Sequence, residues 1–292
     1  LIYNDENYYG IFYTMAKMKK MVIVAGMPRA GSTWLYYNLI KHPQVAMPKF
    51  KETFFFGSNF KRGFDWYYSL FDDQDIVNKV AFDISPNYYC DSDFFDNVSQ
   101  FDVDHKMVLV LREPAEWLAS LYSQLKSFTP NMPSLEDYLE SCRIDFDGGN
   151  YTIHLNDFDF SGVVEKFINC YKGKILLINF DEIKNNPVRV LNEIEKFSEI
   201  GTYFNSTTAY VKPVNVSIPK FNIIAYLGTK HLIRKYVRAY VPEPIRNKLI
   251  DYVYKIGKET DTRNMPDKLE LEKKFKPLYV EKYFKEENVL YL

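Results

Sequence analysis

"MVIVAGMPRAGSTWLYYNLIKHP" (residues 21–43) is the stretch that decides the fold of this 292-residue chain. Its first residues are apolar and β-branched, which predicts a buried strand over 21–26. The residues after the loop have a helical pattern, which predicts a helix over 32–41. The intervening loop is bounded by Gly26 and Gly31. Because the N–H groups and the dipole at the start of a helix favour negative charge, this unit predicts an anion-binding loop.

Similar apolar runs recur along the chain and alternate with helical patterns. Strands are predicted over 21–26, 79–84, 106–111 and 174–180, and helices over 32–41, 91–100, 114–127, 134–142, 159–171 and 187–198. Strands that are apolar throughout and alternate with helices are typical of a parallel sheet covered on both faces. The predicted fold class is therefore α/β, with three layers and a central, mainly parallel sheet flanked by helices.

Beyond about residue 200 the strand pattern fades. A long loop is predicted over 201–220, and three helical segments follow it, near 220–238, 243–257 and 267–286. The chain has no internal repeat and no linker rich in Gly or Ser. We therefore predict an N-terminal extension over 1–20 and a single domain over 21–292 with a helical C-terminal portion.

Composition narrows the possible partners and compartments. The net charge is −1, and no basic domain of the kind that binds nucleic acid is present. The three cysteines, Cys90, Cys142 and Cys170, are odd in number and show no CxxC pairing. This pattern argues against a disulfide framework or a zinc site and favours a reducing compartment, so we expect a cytoplasmic protein. No apolar run reaches 18 residues, so we expect no membrane span, and the oligomeric state stays open.

The loop departs from the Walker nucleotide-binding pattern at one position. That pattern places Lys where this chain has Ser32. The missing Lys is the group that reaches the β- and γ-phosphates, so its absence argues against a kinase. Arg29 lies inside the loop and is expected to face the bound anion. The structural alternative is a strand-to-helix turn that binds no ligand.

A second candidate anion site follows the predicted strand over 106–111. Arg112 comes directly after this strand, and Ser120 follows eight residues later on a predicted helix that begins at Pro114. Arg recognises phosphate in a bidentate manner, Ser adds a hydroxyl donor, and open α/β sheets bind ligands beyond the carboxyl ends of their strands. From the residues alone, a structural salt bridge of Arg112 is an equally good interpretation.

Together the two motifs resemble the sulfotransferases that use 3′-phosphoadenosine 5′-phosphosulfate (PAPS). MPRAGSTWL resembles the 5′-phosphosulfate loop of that family, and LREPAEWLASLYSQL resembles its 3′-phosphate site. The resemblance implies a P-loop NTPase-like sulfotransferase fold in which Arg112 and Ser120 bind the 3′-phosphate. The phosphosulfate would be held by the first loop, through Arg29, Ala30, Gly31, Ser32, Thr33 and Trp34. No metal is required by these motifs, because Arg side chains, backbone donors and the helix dipole can meet the charge of the cofactor.

The segment KETFFF, residues 51–56, resembles the K-E-x-x-F-F stretch of the branch that modifies carbohydrates, including heparan sulfate and many bacterial enzymes. The resemblance implies that Glu52 is the base that takes the proton of the acceptor hydroxyl. In that chemistry the hydroxyl attacks sulfur in line, and cations, with Arg29 as the loop candidate, stabilise the departing phosphate oxygen. The structural alternative for Glu52 is a helix cap or a surface residue.

Two positions depart from the pattern of that branch. Phe54 stands where many heparan-type sequences have His, and Ile84 stands where E-K-[ST]-P would supply Lys, although Asp83 and Ser85-Pro86 keep the rest. Because this Lys is missing, the match to the heparan-type branch is incomplete and defines the acceptor class less closely. None of the histidines has the sequence context of the His base in the cytosolic branch, and all are predicted to be structural or exposed, namely His42, His105, His154 and His231.

Downstream, VKPVNVSIPK resembles the late loop of the family that closes over the nucleotide, which makes Lys212, Asn215 and Lys220 candidates for cofactor binding. The predicted function is transfer of a sulfuryl group from PAPS to a hydroxyl or amine of an acceptor, with a saccharide favoured. One alternative is a P-loop kinase for a nucleotide or small molecule, in which Asp83 would bind Mg²⁺. The other is an inactive sulfotransferase-like binding protein.

Overall fold

The computed structural model describes residues 18–72, 76, 78–128, 133–140, 143–145, 152–154, 158–205 and 290–292. Two compact units divide the chain. The first comprises Leu1–Arg112, Arg143–Pro213 and Leu278–Leu292, and the second comprises Glu113–Cys142 and Val214–Pro277. The helices predicted over 220–286, most of the loop predicted over 201–220 and most of the predicted N-terminal extension lie outside the described residues.

The first unit is built on a sheet of six strands in which all described neighbours pair parallel. In chain order the strands are β1 (Lys20–Gly26), β2 (Val45–Ala46), β3 (Val80–Ile84), β4 (Asp104–Leu111), β5 (Arg143–Asp145), β6 (Thr152–His154), β7 (Ile175–Asn179) and β8 (Leu290–Tyr291). The sheet has the order β2-β3-β1-β4-β7-β8, and β5 and β6 form a separate antiparallel pair. The predicted parallel sheet is confirmed.

Strand β1 lies in the interior of the sheet, between β3 and β4. Ile23 pairs with Asp83 on one side and with Met107 on the other. Residues 21–25 are fully buried, which explains why this strand is apolar throughout and not alternating. Because β3 and β4 flank β1 on opposite sides, the strand order reverses at β1, and a crevice at its carboxyl end is the position where such sheets bind ligands.

Within the described residues, the six predicted helices are present with ends shifted by up to three residues, together with two short helices that were not predicted. They are α1 (Ser32–Leu39), α2 (Gly63–Tyr68), α3 (Phe94–Val98), α4 (Pro114–Phe128), α5 (Leu135–Glu140), α6 (Phe160–Cys170), α7 (Phe180–Asn185) and α8 (Pro187–Ser198), with short 3-10 turns at Phe60–Arg62 and Pro86–Cys90. Helices α4 and α5 belong to the second unit, and the others belong to the first. In the described part of the chain, none of these helices is both long and apolar enough to cross a membrane.

Local hydrogen bonds set several of the boundaries. The strand predicted over 174–180 ends at Asn179, because the Asn179 side chain accepts a hydrogen bond from the Asp181 N–H at 2.9 Å and caps α7. Strand β8 was not predicted. It pairs with β7, and the Leu292 N–H donates to the Leu177 carbonyl at 3.0 Å. A strand of two residues carries no periodic pattern, so only pairing with the sheet reveals it.

Candidate active site

The predicted anion loop lies at the carboxyl end of β1. The Met27 N–H donates to the Val110 carbonyl at 2.6 Å, and the Ala30 N–H donates to the Met27 carbonyl at 3.2 Å, which folds the loop into a tight turn. Gly31 has a φ of 88° and precedes α1. A Cβ on Gly31 would lie 2.9 Å from Ile183 Cδ1, so the backbone conformation and the close packing both require glycine.

The beginning of α1 suits an anion. Gly31 has no side chain that caps the helix, and the first turn contains no acidic residue. The N–H groups of the first turn and the hydroxyls of Ser32 and Thr33 therefore supply donors where the helix dipole is positive. Ala30 and Trp34 are buried, so these two predicted binding residues offer backbone groups and not side chains to a ligand. The residues present fit a phosphate or sulfate group.

Arg112, from the second motif, contacts this loop directly. Its Nη1 donates to the Arg29 carbonyl at 2.8 Å. The guanidinium also lies over the ring of Phe180, 4.5 Å from the ring centroid. These two contacts hold the positively charged guanidinium at the loop. The hydrogen bond to the carbonyl orients the guanidinium, and the aromatic ring packs against its flat face. The sequence interpretation missed Phe180, which had no local signal because its role depends on a contact with a residue far away in the chain.

Four further residues are predicted to bind the cofactor. Ser120 lies on α4, in the second unit, and is buried. Lys212, Asn215 and Lys220 lie outside the described residues. The roles of all four residues remain predictions.

Glu52 lies in a segment with an unusual backbone. Its φ is 66°, and that of Phe54 is 49°, so two residues with side chains occupy the left-handed region that favours glycine. The Glu52 side chain is 36% exposed, and its carboxylate pairs with the ammonium of Lys51. Residues 47–59 are all described and contain no helix, so the helix-cap alternative for Glu52 is wrong. The Glu52 side chain is therefore partly accessible to solvent.

This segment is attached to the same edge of the sheet as the anion loop. Thr53 Oγ1 donates to Asp83 Oδ2 at 2.7 Å, at the carboxyl end of β3. The Phe54 N–H donates to Ser85 Oγ at 3.3 Å, and the Ser85 N–H donates to the Val24 carbonyl of β1 at 3.2 Å. The sheet therefore carries the Glu52 segment on β3 and the anion loop on the adjacent β1.

Asp83 is fully buried beneath the segment. Its carboxylate accepts hydrogen bonds from four hydroxyls, those of Thr53, Tyr67, Ser85 and Tyr88. Burial raises the pKa of Asp83 above its usual range, and the four donated bonds oppose that increase. Because both oxygens are occupied by hydroxyl donors, the role in Mg²⁺ binding that the kinase alternative assigns to Asp83 is disfavoured. Ile84 is also buried, in the position where the family pattern has Lys.

Two histidines have structural contacts, as predicted. His42 is buried, with Nε2 2.9 Å from the Gly201 carbonyl, and its Nδ1 accepts from the Gln44 N–H at 3.1 Å. His105 Nδ1 lies 2.7 Å from the Val103 carbonyl, and its Nε2 lies 3.1 Å from the Tyr171 hydroxyl. His154 lies on β6, and His231 lies outside the described residues.

The fold and the site define an α/β protein of the P-loop type, with the predicted anion loop between β1 and α1 and with Arg112, the residue after β4, in contact with that loop. The family model described as "Sulfotransferase domain" matches residues 19–225. The chain therefore belongs to the sulfotransferase domain family.

Similar proteins include enzymes whose names refer to heparan sulfate. Mouse bifunctional heparan sulfate N-deacetylase/N-sulfotransferase 4 is 23% identical over 212 residues, which cover 64% of this chain and 23% of that protein. Mouse heparan sulfate glucosamine 3-O-sulfotransferase 3B1 is 23% identical over 217 residues, which cover 68% of this chain and 53% of that protein. The chain thus matches about a quarter to about half of the length of these relatives.

A solved structure has the same fold. The sulfotransferase from Alicyclobacillus acidocaldarius matches with a TM-score of 0.50 and 19% identity, over 66% of this chain and 86% of that one. The prediction of a sulfotransferase fold is confirmed.

Proposed function

We propose that this sulfotransferase moves a sulfuryl group from PAPS to a hydroxyl or amine of a saccharide. The observation that carries the proposal is the hydrogen bond from Arg112 Nη1 to the Arg29 carbonyl, at 2.8 Å. This bond joins the two motifs that resemble the 5′-phosphosulfate and 3′-phosphate sites. The Glu52 segment is attached to the strand next to the same loop.

When bound, PAPS would supply an activated sulfuryl group attached to a phosphate. In the proposal the loop of residues 29–34 holds the phosphosulfate through its N–H groups, its two hydroxyls and Arg29. Arg112 holds the 3′-phosphate, and the same role is proposed for Ser120 from the resemblance of LREPAEWLASLYSQL to the 3′-phosphate site of the family. Lys212, Asn215 and Lys220 are proposed as further contacts to the nucleotide. The negative charge of the cofactor is balanced by the Arg side chains and by the N–H donors at the start of α1. Because these groups are already in place, they need not reorganise during the reaction.

Glu52 is the proposed base. Its carboxylate accepts the proton of the acceptor hydroxyl, so that the oxygen can attack sulfur in line while the sulfur–phosphate oxygen bond breaks. Arg29 and the first-turn N–H groups stabilise the charge that develops on the departing phosphate oxygen. Lys51, the preceding residue, forms an ion pair with the Glu52 carboxylate.

The acceptor class rests on two supports. KETFFF resembles the carbohydrate-modifying branch, and the relatives named above carry heparan sulfate in their names. A saccharide with a free hydroxyl or amine is therefore the proposed acceptor.

The proposal also retains the reducing, cytoplasmic compartment that the cysteine pattern favours, and Cys90 and Cys170 are free thiols in the structure.

Calorimetry with adenosine 3′,5′-bisphosphate and with ATP tests the cofactor assignment. We expect the bisphosphate to bind without added metal and ATP with Mg²⁺ to bind far more weakly, because the loop lacks the Lys that reaches a γ-phosphate. Tight binding of ATP without any response to the bisphosphate would contradict the proposal and favour a kinase. Binding of the bisphosphate without transfer to any saccharide, phenol or lipid acceptor would favour the inactive alternative.

A further inference from the structure

Three consecutive backbone N–H groups follow Glu52, and each donates to a hydroxyl. The N–H groups belong to residues 54–56. In order, they donate to Ser85 Oγ at 3.3 Å, to Thr53 Oγ1 at 3.2 Å and to the Tyr88 hydroxyl at 3.2 Å. Thr53 belongs to the segment itself, but Ser85 and Tyr88 lie 31 and 32 residues beyond the N–H groups that they accept, so local sequence alone does not produce this arrangement.

Each of these hydroxyls donates its own hydrogen to one carboxylate, that of Asp83. The distances are 2.7 Å from Thr53 to Oδ2, 3.0 Å from Tyr88 to Oδ2 and 2.7 Å from Ser85 to Oδ1. A hydroxyl has a single hydrogen to donate and two lone pairs with which to accept. Because Asp83 takes the hydrogen, each oxygen is oriented to accept the backbone N–H of the segment.

We propose that Asp83 is a positioning residue that holds the backbone of the Glu52 segment through these three hydroxyls and so aims the Glu52 carboxylate. The inference rests on the function proposed for Glu52. Left-handed backbone at Glu52 and Phe54 is unfavourable for residues with side chains and persists only where surrounding contacts enforce it. The relay from Asp83 provides such contacts, in a buried environment where each hydrogen bond is stronger than in water.

The chain offers a matched pair of variants. Tyr67 and Tyr88 are both buried, and both donate to Asp83 Oδ2 at 3.0 Å. Tyr88 also accepts the Phe56 N–H, whereas the hydroxyl of Tyr67 contacts Met21 Sδ and lies outside the relay to the segment. Tyr88→Phe and Tyr67→Phe therefore remove the same kind of bond from the same carboxylate, but only the first loosens the segment.

For Tyr88→Phe we expect kcat for sulfuryl transfer to fall roughly tenfold or more, because small misplacement of a catalytic group is costly. The dissociation constant of the bisphosphate should not change, since the anion loop is untouched. Hydrogen exchange of the peptide over 51–57, followed by mass spectrometry, should become faster. For Tyr67→Phe we expect wild-type kcat and wild-type exchange of that peptide, with a loss of thermal stability similar to that of Tyr88→Phe.

Equal losses of kcat in the two variants, or equal exchange rates of the peptide, would overturn the inference and leave Asp83 with a structural role alone. Failure of the proposed function gives a different result, in which the wild type neither binds the bisphosphate nor transfers a sulfuryl group. In that case the exchange measurement still decides whether Asp83 holds the segment.

Discussion

At the scale of single residues, both segments of the candidate site contain residues with a left-handed backbone conformation. Arg29, in the anion loop, has a φ of 62°, and Glu52 and Phe54 have φ values of 66° and 49°. Each such residue costs about 1 kcal/mol or more, which the surrounding contacts must offset. The sequence predicted Arg29 and Glu52 as site residues but gave no indication of their backbone conformation, because neither is Gly or Asn.

The role of Glu52 is tested by Glu52→Gln. We expect kcat for transfer from PAPS to a saccharide acceptor to fall roughly 100-fold or more, because an amide does not accept the proton of the acceptor. Affinity for the bisphosphate should stay at the wild-type value. Glu193→Gln on the surface of α8 is the matched control and should retain full activity. A Glu52→Gln protein with wild-type kcat would show that another group is the base.

At the scale of elements, the long buried strands and helices were predictable, whereas several of the short elements were not. Strands β1, β3, β4 and β7 have enough apolar residues to show the pattern of a covered parallel sheet. Strand β2 has two residues and helix α2 has six, too few for a periodic pattern to be distinguished from chance. Their existence depends on pairing and packing with residues elsewhere in the chain.

One contact between elements should make stability depend on pH. His105, near the start of β4, contacts the Val103 carbonyl and the hydroxyl of Tyr171, the residue directly after α6. Burial, with a smaller effect of Lys174, lowers the pKa of His105 below 6.5, against the opposing effects of the Val103 bond and Asp104. The unfolded chain then binds the proton more readily, so stability is lost as pH falls below about 6.5.

His105→Asn removes this titration and keeps a side-chain N–H donor. The difference in the free energy of unfolding between wild type and variant, measured by urea denaturation, should therefore shrink as pH falls from about 7.5 to about 5.5. His42 is present in both proteins, so its contribution cancels. Parallel stability curves over this range would contradict the direction assigned to His105.

At the scale of the whole molecule, the candidate site depends on contacts between distant parts of the chain. Arg112 reaches the loop that contains Arg29, and Phe180, more than sixty residues further on, supports the guanidinium. The parallel sheet makes this possible because it places the carboxyl ends of β1, β3 and β4 at one edge. Ligand binding at such a site should stabilise the folded chain by mass action.

Thermal unfolding of the whole chain measures this linkage. At a bisphosphate concentration of a hundred times the dissociation constant, the wild type should gain about 2.7 kcal/mol. For Arg112→Ala, the loss of a charged hydrogen-bond partner should weaken binding by roughly 2 kcal/mol, so the same concentration should add only about 0.9 kcal/mol. Arg189→Ala, on the exposed face of α8, is the control and should show the full shift. An undiminished shift in Arg112→Ala would remove Arg112 from the anion site.

The sequence by itself determined the α/β class, the position of the loop between β1 and α1 and the candidate residues in it, because strands buried on both faces and the start of a helix leave local patterns in the sequence. It also suggested Arg112 and Glu52 through resemblance to a family. Tertiary structure decided which of these residues meet, and that Asp83 lies beneath the Glu52 segment with hydroxyls from three parts of the chain. A buried carboxylate of this kind has no local signature, since its partners are brought together by strand pairing and not by spacing along the chain.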